Sequence, residues 1–447
     1  PLLFPQFLAD GHMPTLVLLT RVMLLQPVFL GLSNILAGIT QTRKRYWLYS
    51  LSPLLYNFGI IFGTIALYPA FGIAGLAWGV VLGAAMHFAI QLPSIIADGF
   101  FRRLPLLHDV RALYETVVIS IPRALALSMN QVAFIGLTAL AGLLAPGSIA
   151  VFMFAYNLQA VPLSIVGASY SVAAFPTLAA ALSRGQREAF LVHIATAARY
   201  VFFWSLPITA LVIVLRAHVV RVVLGSGAFD WTDTRLTAAG LALLVLSLSA
   251  QGLTLLIVRG YYAAGRTFMP FVVALVSAAG TVVLGAFAIG AFRSTMISNF
   301  TQEILRVAGV PGSNVLALMF AYSLTSIIAA FALTIHFEHR FPGFLAQVRR
   351  SWTQSALAAV SGGAGAYLVL ELVGPVTLAS TTLSVFTRGF AAGLAGVIVS
   401  AFVLRSLESR EYEETVVGLR SRLWRGSSGL GSTVVASAEE GTAAGPQ

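Results

Sequence analysis

The chain has 447 residues, of which 58% are hydrophobic and 10% charged, with no cysteine and a formal net charge of +11. Soluble domains carry about 25% charged residues, so a water-soluble core is excluded, and the missing thiols exclude disulfides and thiolate metal sites. A mean hydropathy of +0.88 and apolar runs of about 20 to 35 residues fit helices crossing a hydrocarbon layer about 30 Å thick, while the lack of strand-type alternation disfavours a membrane barrel.

Eleven spans are expected, at roughly 14–39, 47–68, 71–96, 113–144, 147–182, 188–224, 234–263, 267–291, 313–336, 351–373 and 383–406. The expected fold class is therefore all-α, a polytopic helical membrane protein. In the first span Arg21 lies about seven residues from one end, placed to face a cavity or to snorkel outward. Gln26, beside Pro27, extends the same polar stripe. His87 in the third span reads as a packed, hydrogen-bonded histidine.

The fourth span contains "SIPRALALSMNQ" (120–131). Arg123 lies about ten residues into it, roughly 15 Å at the helical rise, so it is expected near the midplane. A charge there costs about 2.5 to 3.5 kcal/mol on insertion scales. Arg123 either borders a wet cavity, or snorkels and binds a carbonyl freed near Pro122. Asn130 falls on the same helical face, with Gln131 beside it.

The fifth and sixth spans exceed an upright crossing, and Pro162, Pro176 and Pro207 suggest bent helices that run past the membrane surface. The fifth carries Tyr156, Asn157 and Gln159, which either line a cavity or bond neighbouring helices. In the sixth, Arg199 marks an interface. The loop "GSGAFDWTD" (225–233) reads as a turn with Asp230 or Thr232 capping the next helix. Gln251 in the seventh span is a further cavity candidate. Trp47, Trp204, Trp231 and Trp352 are expected near span ends, as aromatic belts require. The last residues, 426–447, are rich in Gly, Ser and Ala and are expected to be a disordered tail.

Orientation follows the basic residues. With the loop after the first span inside, the inner connections and flanks hold eighteen Lys and Arg, from Arg43, Lys44 and Arg45 through Arg102 and Arg103 to Arg425, and the outer ones five. That positive-inside bias places the C-terminus in the cytoplasm. It accounts for the net charge without a nucleic-acid partner. The chain opens "PLLFPQFLADGH", with no Met and no signal-type basic region, and an odd number of further spans is expected upstream.

An internal repeat is weak but well placed. "ILAGITQTRKRYWLYSLSP" (35–53) and "LIVRGYYAAGRTFMPFVVA" (257–275) align Gly38 with Gly260, Lys44 with Arg266 and Tyr46 with Phe268. Two pseudo-symmetric lobes around a central cavity are a frequent transporter plan. The expected domains are 1–98, the back half of a first lobe; 113–340, a complete second lobe; 349–407, a C-terminal helix pair; and the tail.

The segments "LTRVMLLQPVFLGLSNILAGITQTRKRYWLYSLSPLLYNFGIIFG", "SIPRALALSMNQ", "GSIAVFMFAYNLQAVPLSIVGASYSVAAFPTLA" and "GSGAFDWTDTRLTAAGLALL" resemble, in this order, stretches of MurJ/MviN-type lipid II flippases. The resemblance covers about residues 14 to 340. It implies fourteen helices, a C-terminal pair forming a groove for a lipid tail, and flipping of a lipid-linked peptidoglycan precursor across the bacterial inner membrane. On that plan Arg123, Asn130, Gln131, Tyr156, Asn157, Gln159, Arg21 and Gln251 are the expected cavity residues, with the Arg123 guanidinium facing a lipid diphosphate. One departure stands out: many family members carry Arg where this chain has Asn157. A monomer among membrane lipids is expected, with no metal and no cofactor. Walker A loops, HExxH motifs, nucleophile elbows and paired intramembrane carboxylates are absent from the sequence, which points to a transporter rather than an enzyme. Alternative cargoes are another polyprenyl-diphosphate oligosaccharide or, by cation coupling, a drug; a scaffold without transport is the third class.

Overall fold

The computed structural model of the protein describes residues 4–9, 11–42, 46–97, 99, 110–374 and 381–425. Every regular element among these residues is helical and no strand occurs. Ten helices are long and apolar enough to cross a membrane, and an eleventh span results if one pair bent by 43° is counted together. These match the eleven expected; the run at 267–291, for instance, forms Phe268–Ala291. The chain is an all-α, multi-pass membrane protein. Residues 43–45, 102, 103 and the tail from 426 lie outside the described residues.

Two compact units divide the chain, Pro1–Ile119 and Ser120–Gln447. In the first, α1 (Gln6–Ala9), α2 (Met13–Met23) and α3 (Leu25–Thr42) precede α4 (Tyr46–Phe62), a π-turn at Gly63–Leu67 and α5 (Tyr68–Phe71). Gly72, at φ 58°, turns the chain into α6 (Ile73–Ala89), followed by α7 (Leu92–Ala97). Glycines let α4 and α6 meet backbone to backbone. A Cβ on Gly59 would lie 2.3 Å from Gly83 Cα, and one on Gly63 would lie 2.4 Å from Gly79 Cα. Lipid tails are as apolar as leucine, so close van der Waals approach of this kind replaces hydrophobic burial as the packing force. Polar bonds join α3 to the end of α6: Ser33 Oγ and His87 Nδ1 are 2.7 Å apart, and Gln91 Nε2 donates to Ser33 Oγ at 2.6 Å. His87 is thus packed and hydrogen-bonded, as expected.

The unit boundary falls within α8 (Val110–Gly142). The second unit continues with α9 (Ser148–Leu163), a π-turn at Ser164–Ala168 just beyond Pro162, and α10 (Ser169–Ser183). Next come α11 (Arg187–Leu224), α12 (Trp231–Val245), α13 (Leu248–Ala263), α14 (Phe268–Ala291) and α15 (Thr295–Leu305). The unit ends with α16 (Leu316–Arg340), α17 (Phe344–Val373), α18 (Thr382–Ser406) and α19 (Arg410–Arg425). Asp230 rather than Thr232 caps α12, in a reciprocal capping box with Asp233. The sixth span remains α-helical through Pro207. A buried aromatic cluster of Phe190, Tyr261, Phe337, Phe341 and Phe344 ties α11, α13, α16 and α17 together. The helices α11, α17 and α18 pack mutually, with Ser400 Oγ donating to Ala358 O at 3.0 Å.

One expectation needs adjustment. Trp204 does not sit at a span end: it lies near the centre of α11, where its Nε1 donates to Tyr170 Oη at 2.9 Å. That bond satisfies the indole without an interface. Arg199, expected to mark an interface, is ion-paired. Its Nε lies 3.0 Å from Glu411 Oε1, with only 20% and 4% of the two side chains exposed. The N–H is not aligned on the carboxylate, so the attraction is chiefly Coulombic. From the next residue, the Tyr200 hydroxyl donates to Glu414 at 2.6 Å. Together these contacts dock α19 onto α11.

Candidate functional site

The seventh span is a broken helix. Between α12 and α13 the chain turns by 43° at Leu246 and Ser247, without proline or glycine at the break. A break in an apolar setting strands carbonyls, and each stranded group needs a partner. Ser247 N–H, the helical partner of Leu243 O, turns instead to Leu244 O at 3.2 Å. Hydroxyls from neighbouring helices supply the replacements. Ser323 of α16 donates to Leu243 O at 2.7 Å, and Thr209 of α11 donates to Val245 O at 3.3 Å. Ser247 Oγ bonds Leu244 O at 2.8 Å and lies 3.3 Å from Ser323 Oγ.

Gln251 completes this network. Its Nε2 donates to Ser247 Oγ at 2.8 Å, and its Oε1 accepts from the Tyr322 hydroxyl at 3.3 Å. The Tyr322 ring in turn meets Tyr156 edge-on, with centroids 5.8 Å apart, and Tyr156 packs on Phe134 at 4.8 Å. Tyr156 and Gln251, two residues expected at the site, therefore belong to one cluster.

An apolar cleft of about 570 Å³ opens on the same break. Thr209, Leu246, Ser249 and Ala250 line its end at the break; Leu206, Leu253, Ile327, Phe331 and Val348 line its walls; Arg349 and Trp352 of α17 complete it. Ser249 accepts from Ser205 at 2.7 Å. Arg349 is exposed and makes no ion pair among the described residues. The cleft thus joins hydroxyls, hydrocarbon and one cation, which is the shape of a site for an amphiphile.

The other expected residues distribute as follows. Gln159 is buried at 1% exposure, and its Nε2 has no hydrogen-bond partner among the described residues. An orphan amide of this kind costs about 1 to 3 kcal/mol, so a polar ligand or water would find a ready donor. Asn157 is exposed, as are Asn130 and Gln131 on α8. Arg21 is exposed near the end of α2, in the first unit. The Arg123 side chain lies outside the described residues. Ser247, Ser323, Thr209 and Arg349 are not among the residues expected from sequence; Ser247 alone had a local signal there. That signal is the run "SLSAQG" (247–252), which puts two hydroxyls and an amide within six residues of an apolar span.

Residues 3–386 match the model of a family described as lipid II flippase MurJ. The lipid II flippase MurJ of Burkholderia cenocepacia is 26% identical over 277 residues, covering 57% of this chain and 51% of that protein. The probable lipid II flippase MurJ of Bdellovibrio bacteriovorus is 25% identical over 336 residues, covering 75% and 60%. The chain spans between half and three-fifths of the length of these relatives. A solved structure described as lipid II flippase MurJ in its inward closed conformation has a TM-score of 0.65 at 19% identity, covering 87% of this chain and 74% of that one. That likeness is one of fold.

Proposed function

The chain belongs to the lipid II flippase MurJ family, and from that premise we propose that it moves lipid II across the bacterial inner membrane by alternating access. The observation that carries this reading is the cleft beside the α12–α13 break, with hydrocarbon walls, hydroxyls at the break and Arg349 and Trp352 on α17. A polyprenyl tail suits the walls: each buried CH₂ contributes about 0.8 kcal/mol, so the tail stays in an apolar setting while the headgroup crosses. Transporter substrate sites are typically formed at discontinuous helices.

In this mechanism cations draw the diphosphate into the membrane, and amides and hydroxyls hold the sugar and peptide. Arg123 and Arg21 supply guanidinium forks for the diphosphate. Asn130, Gln131, Tyr156, Asn157, Gln159 and Gln251 line the path. Gln159 suits this role through its unmatched Nε2, and Gln251 through its place in the break network. With Asn157 where many relatives have Arg, the diphosphate depends on the remaining cations. Moving one charge through 100 mV is worth about 2.3 kcal/mol, enough for membrane potential to drive the step. The positive-inside count sets the C-terminus in the cytoplasm, and the transporter works as a monomer within membrane lipids.

Complementation tests the reading. A strain depleted of its own lipid II flippase should regain growth when it carries the full-length gene, and lose most of that growth with Arg123→Ala. Failure of the membrane-inserted wild-type protein to restore growth overturns the assignment.

A further inference from the structure

At one end of the second unit, three turns bring three arginines around one cavity of about 470 Å³. Arg187 follows the α10–α11 turn, Arg266 the α13–α14 turn, and Arg340 precedes the α16–α17 turn. The hydrogen bonding of the first two turns is the same. Gln186 N–H bonds Ala181 O at 2.9 Å and Gly185 N–H bonds Leu182 O at 3.0 Å; Arg266 N–H bonds Tyr261 O at 2.9 Å and Gly265 N–H bonds Tyr262 O at 3.0 Å. Each is a six-to-one plus five-to-two helix ending closed by a glycine at positive φ, 71° for Gly185 and 69° for Gly265. Such turns fix the backbone from which Arg187 and Arg266 extend, and all three arginine side chains are exposed. The third turn uses Gly343 at φ 95°.

The three guanidiniums have no ion pair or hydrogen bond among the described residues. Arg187 stacks over the Phe341 ring, 5.7 Å from its centroid, which orients the fork. Glu338, two residues before Arg340, is occupied elsewhere: its carboxylate accepts from Gly343 N–H and Leu345 N–H, each at 2.8 Å. The site therefore concentrates positive charge: Glu338 is committed to capping α17, and Glu188, next to Arg187, is not among the residues lining the cavity. Like charges around one cavity repel, and an anion with several oxygens relieves that repulsion through bidentate forks.

We propose that Arg187, Arg266 and Arg340 form a receptor for a phosphate-type oxyanion, separate from the cleft at the α12–α13 break. The anion is either a lipid headgroup phosphate or a soluble phosphate. The inference does not rest on lipid II transport and can be tested without it. Full-length protein is titrated with inorganic pyrophosphate in neutral detergent. In a second arm it is placed in nanodiscs of phosphatidylcholine with or without phosphatidylglycerol, and retained lipid is read by native mass spectrometry. Arg266→Ala and Arg187→Gln are compared with Arg350→Ala, which removes the same charge from an exposed residue outside the cavity. The receptor predicts that binding in at least one arm falls about tenfold in the first two variants and is unchanged in the third. Pyrophosphate binding identifies a soluble anion site, and selective phosphatidylglycerol retention a headgroup site. If all three variants behave alike in both arms, the receptor does not exist.

Discussion

Replacing Ser323 with alanine probes the helix break directly. Ser323 is 4% exposed, and its hydroxyl is the donor that replaces the lost helical partner of Leu243 O. Its removal leaves a carbonyl unpaired in an apolar interior, worth about 1 to 3 kcal/mol. Alanine returns about 0.5 kcal/mol through better helix propensity. The net loss is then about 0.5 to 2.5 kcal/mol, near or above the mean of about 0.6 kcal/mol for interhelical bonds in membranes. Ser326→Ala is the control. Ser326 lies three residues on in the same helix, and its hydroxyl bonds only the Tyr322 carbonyl one turn back, so the same exchange there should be neutral or slightly stabilising. Reversible unfolding in detergent reports the two stabilities, and amide exchange over 243–251 reports the break. Equal stability and equal exchange in both variants would refute the idea that borrowed hydroxyls hold the break open.

Other outcomes follow from single contacts. Gly83→Ala should destabilise the first unit by about 1 to 3 kcal/mol, because the added Cβ would lie 2.3 Å from Tyr56 O; Gly38→Ala, with nothing within 4 Å, should be neutral or stabilising by up to about 1 kcal/mol, both measured by detergent unfolding. The Tyr200 hydroxyl and then Arg410 hold the Glu414 carboxyl below its ordinary value of 4.5. Docking of α19 is accordingly strongest above that value and weakens as pH falls through the depressed one; a probe on α19 should show this loss, and Glu414→Gln should lessen it. Ala250→Trp fills the cleft at its polar end and should stop complementation while the protein remains folded and inserted.

Span positions were legible because slab thickness alone dictates how long an apolar run must be, as Phe268–Ala291 illustrates. The break in the seventh span was not. Nothing at Leu246–Ser247 is a helix breaker by composition, and the groups that stabilise it come from Thr209, 36 residues before Val245, and Ser323, 76 residues after Ser247. Serines in apolar helices most often bond their own preceding turn, as Ser326 does, so sequence does not separate Ser323 from it. Gln251 and Tyr156 were legible as candidates because an amide and a phenol in an apolar run stand out by type. The fit of α4 against α6 was written as Gly59 and Gly63 facing Gly79 and Gly83, a four-residue glycine spacing that only the pairing of the two helices makes meaningful. Trp204 was misplaced for a related reason: the 38-residue α11 is too long for sequence to locate where it meets the membrane surface.

Photo-crosslinking of radiolabelled lipid II tests the account most directly. A photoreactive residue at Ile327, in the cleft wall, should capture the lipid tail and be competed by unlabelled lipid II. The same residue at Ile61, exposed on α4 of the first unit, should give only weak capture that competition leaves unchanged. Equal, uncompeted labelling at both positions would show that the cleft is ordinary lipid-facing surface.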